Sequence, residues 1–159
     1  MEYMNTDQKS LTLICDLKKS SDLASKIATN LHTPQLIELV GDLGGGKTAF
    51  TKALGKSLGV DQTITSPTFN IHRSYEYPGG VLEHFDLYRL SEDEIVQNEL
   101  LECIQNPKAV VVVEWASHFK TQLATDRLVI EFNFIDEKTR KLSIGATGPN
   151  SSSLLKAIR

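Results

Sequence analysis

The sequence predicts an α/β domain with a mixed central sheet, parallel at its centre and antiparallel in its later additions. Three observations carry this reading. Two apolar runs of strand length, Leu36–Val40 and Ala109–Val113, are separated by stretches with helical periodicity. The second run ends in an acid, Glu114, the pattern of a central strand covered on both faces. A glycine cluster joins the first run to a helical stretch, so strand, tight turn and helix follow one another.

The elements follow in order. Thr12–Cys15 reads as a short strand. Ser20 or Ser21 is the expected cap of a helix reaching Leu31, with Leu23, Ile27 and Leu31 on one face and Pro34 ending it. After the strand Leu36–Val40 and the glycines, a helix runs from Lys47 to Leu58 and stops at Gly59. A loop through Ser66-Pro67-Thr68 leads to a strand, Asn70–Tyr77. Pro78-Gly79-Gly80 is turn chemistry, so Val81–Asp86 returns as the second arm of a hairpin. Glu92–Cys103 is helical in pattern. Arg127–Phe134 and Arg140–Ala146 are two further strands joined by the polar turn Asp136–Thr139. All 159 residues are read as one domain. Its ends, residues 1–8 and 148–159, are expected to be loose or peripheral, the latter a GPNSSS stretch before a short apolar tail.

Composition narrows the function classes. Hydrophobic residues make up 40% and charged residues 23%, as in ordinary globular domains. No run approaches the ~20 apolar residues of a membrane span, and the polar N-terminus lacks a signal-peptide core. The expected compartment is the cytoplasm. A net charge of −3 and a pI near 5.8, without a Lys/Arg cluster, argue against tight nucleic-acid binding by the chain alone. Cys15 and Cys103 lie far apart without metal-ligand spacing, and His32, His72 and His118 show none either.

The glycine cluster carries the chemistry. Gly41-Asp42-Leu43-Gly44-Gly45-Gly46-Lys47-Thr48 matches GxxxxGK[ST] at each fixed position. Glycines let successive backbone N–H groups turn inward onto phosphate oxygens, and the helix N-terminus adds partial positive charge. Lys47 is expected on the β- and γ-phosphates, and the Thr48 hydroxyl on magnesium. The fold class is then a three-layer domain like that of the P-loop NTPases. No NKxD motif is present to read guanine, so ATP is the expected nucleotide. The expectation for adenine reaches no further than the segment Thr12–Lys18.

A P-loop enzyme needs a second carboxylate near its metal. Glu114 is placed to hold magnesium directly or through water, or to orient the attacking water; the bland alternative is an ordinary acid at a strand end. His84-Phe85-Asp86-Leu87-Tyr88-Arg89 sets Asp86 at another strand end, either as a water-positioning group or outer-sphere magnesium partner, or as part of a charged loop. Ser66-Pro67-Thr68-Phe69 is either a γ-phosphate sensor or a plain turn. Trp115, the single tryptophan, either stacks near the nucleotide or packs in the core. The candidate catalytic residues are Lys47, Asp86 and Glu114. The candidate nucleotide-binding set is Gly41 to Thr48, Ala49, Ser66, Thr68 and Trp115.

GDLGGGKT, SPTF, HFDLYRL and VVVEW, in this order and at these spacings, closely resemble the TsaE family of bacterial P-loop ATPases. The strong part of the resemblance spans Leu36 to Trp115. It implies magnesium held by Thr48 and Glu114, with Asp86 needed for hydrolysis. It implies that Ser66–Thr68 and the HFDLYR loop behave as switch-like elements. It also implies two protein partners, TsaB and TsaD, which make threonylcarbamoyladenosine beside the tRNA anticodon. ATP hydrolysis, slow alone, would reset that pair, and tRNA would be met only through the complex. The chain departs from the family pattern at Glu94–Leu100, which lacks the usual glycine, and at Ala116-Ser117 after the tryptophan. Two other readings share the P-loop: a small-molecule kinase, weakened by the lack of an Arg-rich lid, and a nucleotide-gated binding module.

Overall fold

A computed structural model describes residues 10–42, 44–67, 70–88, 94–116 and 126–159. Among these, seven strands form one sheet: β1 (Leu11–Cys15), β2 (Gln35–Gly41), β3 (His72–Tyr77), β4 (Gly80–Asp86), β5 (Ala109–Glu114), β6 (Leu128–Phe134) and β7 (Arg140–Ala146). Their spatial order is β1-β7-β6-β2-β5-β4-β3. The centre is parallel, with β2 between β5 and β6, and β4 parallel to β5. The antiparallel additions are the β3–β4 hairpin at one edge and β6–β7–β1 at the other. This is the mixed sheet that the apolar runs predict. It goes further at β6, which belongs to the parallel centre by one of its edges and turns the sheet antiparallel by the other.

Four helices among the described residues cover the two faces: α1 (Leu17–Asn30), α2 (Lys47–Leu58), α3 (Glu94–Gln105) and α4 (Pro149–Ala157). Side-chain alternation along the strands divides the core accordingly. Ile37, Leu39, Leu82, Val110 and Val112 pack with Leu23 and Ile27 of α1, Phe50 and Leu54 of α2, and Leu154 and Leu155 of α4. Leu36, Phe85, Val111 and Val113 pack with Val96 and Leu100 of α3. All six residues of β5 are buried, as its unbroken apolar run requires.

Three boundaries differ from the sequence reading by two residues or more. Helix α1 begins at Leu17, not near Ser20, because the Asp16 carboxylate accepts the Lys19 N–H at 2.8 Å and caps the helix. Strand β3 begins at His72, since Ile71 adopts φ 63° and its N–H donates to the Pro67 carbonyl in a turn. The start expected for α3 at Glu92 lies outside the described residues, and the helix runs on to Gln105.

The C-terminal stretch is a correction. Residues 149–157 are helical, and Leu154, Leu155 and Ile158 are buried in the main core. Pro149 fits the first helical turn, where no intrahelical partner for its nitrogen exists. The capping group comes from elsewhere in the chain. The Asp126 carboxylate accepts the N–H groups of Asn150 and Ser151, each at 2.8 Å. Asn150 Nδ2 also donates to the carbonyl of Pro34 at 2.9 Å, tying the helix start to the turn before β2.

Burial pushes the Asp126 carboxyl up, but the hydrogen bonds from Ser151 and Asn150 outweigh it and hold its pKa below the usual range. Asp126→Ala should therefore lower stability by about 1 kcal/mol in urea unfolding at neutral pH. With the folded-state pKa depressed, this difference is full above pH about 4 and vanishes as pH falls through the folded value. A pH-independent difference would contradict the capping role.

Candidate functional site

The carboxyl ends of β2, β4 and β5 lie side by side, the place where open α/β sheets present their ligands. Register sets the neighbours. Leu39, two residues before the turn, pairs with Glu114, and Asp86 pairs with Glu114 on the other side. Both acids are thus the last residues of adjacent parallel strands.

Beyond β2 the chain turns sharply. Gly41 has φ 150°, and a side chain there would bring a Cβ to 2.8 Å from the Phe132 carbonyl oxygen, so only glycine lets β2 run this close to β6 before turning. Asp42 O accepts the Gly45 N–H at 3.0 Å, closing the turn, and Gly46 enters α2 with φ 99°. Lys47 is the first helical residue. Its side chain folds back over the turn, and Nζ donates to the carbonyls of Gly41 at 2.7 Å and Asp42 at 2.8 Å. The same ammonium lies 4.6 Å from the centre of the Trp115 ring.

Three charged side chains are buried at this point: Lys47, Asp86 and Glu114. Burial pushes the Lys47 pKa down, and the negative charges of Glu114, Asp86 and Asp42 oppose this without restoring it. Burial also raises the Asp86 carboxyl. The Tyr88 N–H that it accepts at 3.0 Å opposes the rise, and the charge of Glu114 adds to it. Asp86 and Glu114 are further linked through the backbone, where Leu87 N–H donates to the Glu114 carbonyl at 3.0 Å.

Glu114 has a partner that spacing does not reveal. His84, fully buried on β4, donates from Nε2 to Glu114 Oε1 at 3.1 Å. A carboxylate only accepts, so this bond fixes the proton on Nε2. The buried Nδ1 has no hydrogen-bond partner among the described residues. His84 stands in the same HFDLYR stretch as Asp86. Its two-residue offset, placing both side chains on one face of a strand, is the signal by which it could have been found.

The cleft over these groups has a volume of about 260 Å³. Gly44, Gly45, Gly46, Lys47, Thr48, Ala49, Ser66, Asp86, Glu114 and Trp115 line it. The structure therefore brings together most of the residues singled out in the sequence. Gly41 and Asp42 form the base of the turn and hold Lys47. Leu43, Thr68, Phe69 and Arg89 lie outside the described residues. Trp115 is half-buried with φ 59°, a left-handed conformation that is costly for a bulky residue, and it packs on Tyr88 at 4.9 Å between centroids.

The three consecutive glycines also line a second, larger cavity of about 530 Å³ on their other side. Its walls come from the start of α1 (Asp16, Leu17, Lys18) and from Phe132, Arg140 and Leu142. Arg140 Nη2 reaches the Gly44 carbonyl at 3.5 Å. A hollow with an apolar floor, whose rim carries Lys18, Lys138 and Arg140 alongside Asp16 and Glu137, thus adjoins a turn with its lysine and two buried acids. The combination suits a ligand with an apolar body and an anionic tail, accompanied by a hard cation with oxygen ligands.

Comparison with known proteins gives one answer throughout. Residues 14–142 match the family described as threonylcarbamoyl adenosine biosynthesis protein TsaE. The protein named tRNA threonylcarbamoyladenosine biosynthesis protein TsaE from Bacillus subtilis is 39% identical over 133 residues, covering 82% of each chain. The protein of the same name from Nostoc is 31% identical over 147 residues, covering 91% of this chain and 90% of its own. The crystal structure of Bacillus subtilis YdiB superposes with a TM-score of 0.77 at 26% identity, covering 99% of this chain and 97% of that one. The fold, the turn with its lysine and the family match agree, and the chain belongs to the TsaE family.

Proposed function

We propose that this chain is a magnesium-dependent ATPase, the ATP-hydrolysing component of the machinery that makes threonylcarbamoyladenosine in tRNA, acting with TsaB and TsaD. The observation that carries the reading is the convergence of Lys47, Asp86 and Glu114 on one cleft at the head of α2. Family membership supports the place in tRNA modification. No helix among the described residues is long and apolar enough to cross a membrane, in keeping with a cytoplasmic site of action.

The residues present fit both ligands. In this reading the adenosine takes the cavity beside Lys18 and Arg140, and the phosphates pass the glycines into the smaller cleft. Lys47 exchanges its two carbonyl acceptors for phosphate oxygens, so the turn gives up two hydrogen bonds when it loads. That cost weakens nucleotide loading by the chain alone. Thr48 and Glu114 would hold magnesium, which would supply positive charge against the phosphates. The like charges of Asp86 and Glu114, which raise the Asp86 carboxyl, are a donor set that a cation relieves. Through Nε2–H, His84 keeps the Glu114 carboxylate oriented. Asp86 positions the attacking water by accepting a hydrogen bond from it, and Trp115 closes the side of the cleft and limits solvent.

The acidic chain reaches tRNA only through its partners in this account. The chain binds the pair of TsaB and TsaD, and hydrolysis resets the pair between turnovers.

Phosphate release from ATP is expected to need magnesium, to be slow for the chain alone and to rise clearly when TsaB and TsaD are added. No rise in a mixture shown by sizing to assemble would contradict the proposal and leave a nucleotide-gated binding module. Lys47→Ala should lower release in the complex by on the order of 10²-fold, the scale for losing one donor that faces developing charge. Asp86→Asn should lower turnover comparably yet raise the unfolding midpoint of the nucleotide-free chain at neutral pH. The sign follows from a folded-state pKa raised above the unfolded value. The ionised form then destabilises the fold above that pKa, and the penalty disappears below the unfolded value of about 3.9. An Asp86→Asn chain less stable than wild type at pH 7 would contradict this account of the buried acids.

A further inference from the structure

A second cluster of ligating side chains lies away from the cleft, under α3. His72 of β3, Glu83 of β4 and Cys103 of α3 each present one donor atom, and these atoms all lie within 4.8 Å of one another. His72 Nε2 is 2.7 Å from Glu83 Oε2 and 4.0 Å from Cys103 Sγ. The ring of His72 is fixed in plane by stacking on Phe85, with centroids 4.0 Å apart and an interplanar angle of 6°.

We infer that His72, Glu83 and Cys103 form a binding site for zinc, or a like transition-metal ion, that ties α3 to the β3–β4 hairpin. The donor set is one imidazole, one carboxylate and one thiol, a combination that zinc accepts and that leaves a fourth position for water. The surrounding contacts have the form expected around metal ligands. His72 Nδ1 donates to Glu99 Oε1 at 2.6 Å, the carboxylate–histidine pairing that orients a coordinating ring. Glu83 Oε2 accepts from the Ser74 hydroxyl, so the ligating carboxylate is held as well. Glu99 and Cys103 are one turn apart on α3, which lets one helix face supply both the orienting acid and the thiol.

The adjustment required is small. Zinc bonds of roughly 2.0–2.3 Å in tetrahedral array put donor atoms about 3.3–3.6 Å apart. His72 Nε2 and Glu83 Oε2, 2.7 Å apart, must therefore separate by about 0.6–0.9 Å, while Cys103 Sγ, 4.0 Å from Nε2 and within 4.8 Å of the carboxylate oxygen, must move toward both. Side-chain rotation on a strand pair and a helix supplies both. His72 is only slightly exposed and Glu99 about half, so the site opens to solvent on the Glu99 side.

Burial pushes the His72 pKa down, but the contacts with Cys103, Glu83 and Glu99 outweigh it and carry it to about 10. Without a metal, His72 is held between the carboxylates of Glu83 and Glu99. A metal would be bound by the unprotonated Nε2 and by the thiolate, any proton on either passing to solvent, while Nδ1–H continues to donate to Glu99. No oxidation state changes.

The test is cobalt titration of the full chain after chelator treatment under reducing conditions. One equivalent of Co²⁺ should give intense tetrahedral visible bands and a sulfur-to-cobalt charge-transfer band, both displaced by Zn²⁺. Cys103→Ser, which keeps size and polarity, should abolish the charge-transfer band. Cys15→Ser should keep it, since Cys15 is buried in the opposite core. Zn²⁺ should also raise the unfolding midpoint of wild type but not of Cys103→Ser. Weak spectra of oxygen-ligated cobalt alone, or a thiolate band surviving in Cys103→Ser, would overturn the inference and leave an ion pair. ATP turnover enters none of these readings, so their outcome is independent of the function proposed above.

Discussion

The parallel pairing of β4 with β5 is the constraint on which the site depends. It sets Asp86 beside Glu114, while pairing of β2 with β5 ends the neighbouring strand at the turn that carries Lys47. Beyond the strand ends, only the glycine turn that presents Lys47 has to be placed for these three charges to meet. A sheet whose central strands are buried on both faces holds its strand ends to within small displacements, since any slip of one residue would exchange the two core faces. The helices serve the same geometry. α2 begins where β2 stops, and α3 holds the other face under Phe85 and Val113.

Such a site is electrostatically costly. One ammonium and two carboxylates sit nearly out of water, and their pKa directions show it, with Lys47 pushed down and Asp86 pushed up. The nucleotide-free chain limits the cost with local partners: loop carbonyls and the Trp115 face for Lys47, the Tyr88 N–H for Asp86, His84 for Glu114. Each partner satisfies its charge while leaving it on the wall of the cleft. Trp115 itself is held in a left-handed backbone conformation, the kind of local strain that concentrates at functional sites. A ligand carrying phosphate and a divalent cation would replace these stopgaps with stronger interactions, which is the physical core of the proposed function.

Much of this was legible in the residues, for identifiable reasons. The strands β2 and β5 are short apolar runs, the glycine turn has a fixed spacing, and Asp86 and Glu114 each close a strand, so local pattern was enough. What local pattern missed depends on contacts distant in sequence. Helix α4 looked like a loose tail because Asn150 and the serines after it are poor helix formers. It forms because Asp126 caps it and Leu154, Leu155 and Ile158 reach the core. β6 gave no hint from its own residues that it would lie parallel to β2. His84 has no role legible in the HFDLYR stretch, yet it meets Glu114 across strands 30 residues apart. His72 likewise meets Cys103 across 31. In a sheet, ligating groups are collected by register, which a one-dimensional spacing rule cannot see.

The most direct measurement uses the single tryptophan, which lies against the lysine of the glycine turn. Its fluorescence should change saturably when ATP is added, with the affinity strengthened by magnesium and weakened by Glu114→Gln, because the proposed ligand replaces the contact between Lys47 and Trp115. GTP at the same concentrations should have a smaller effect. An unchanged spectrum, together with an absence of ATP binding by equilibrium dialysis, would contradict the central claim that these buried charges are a nucleotide site.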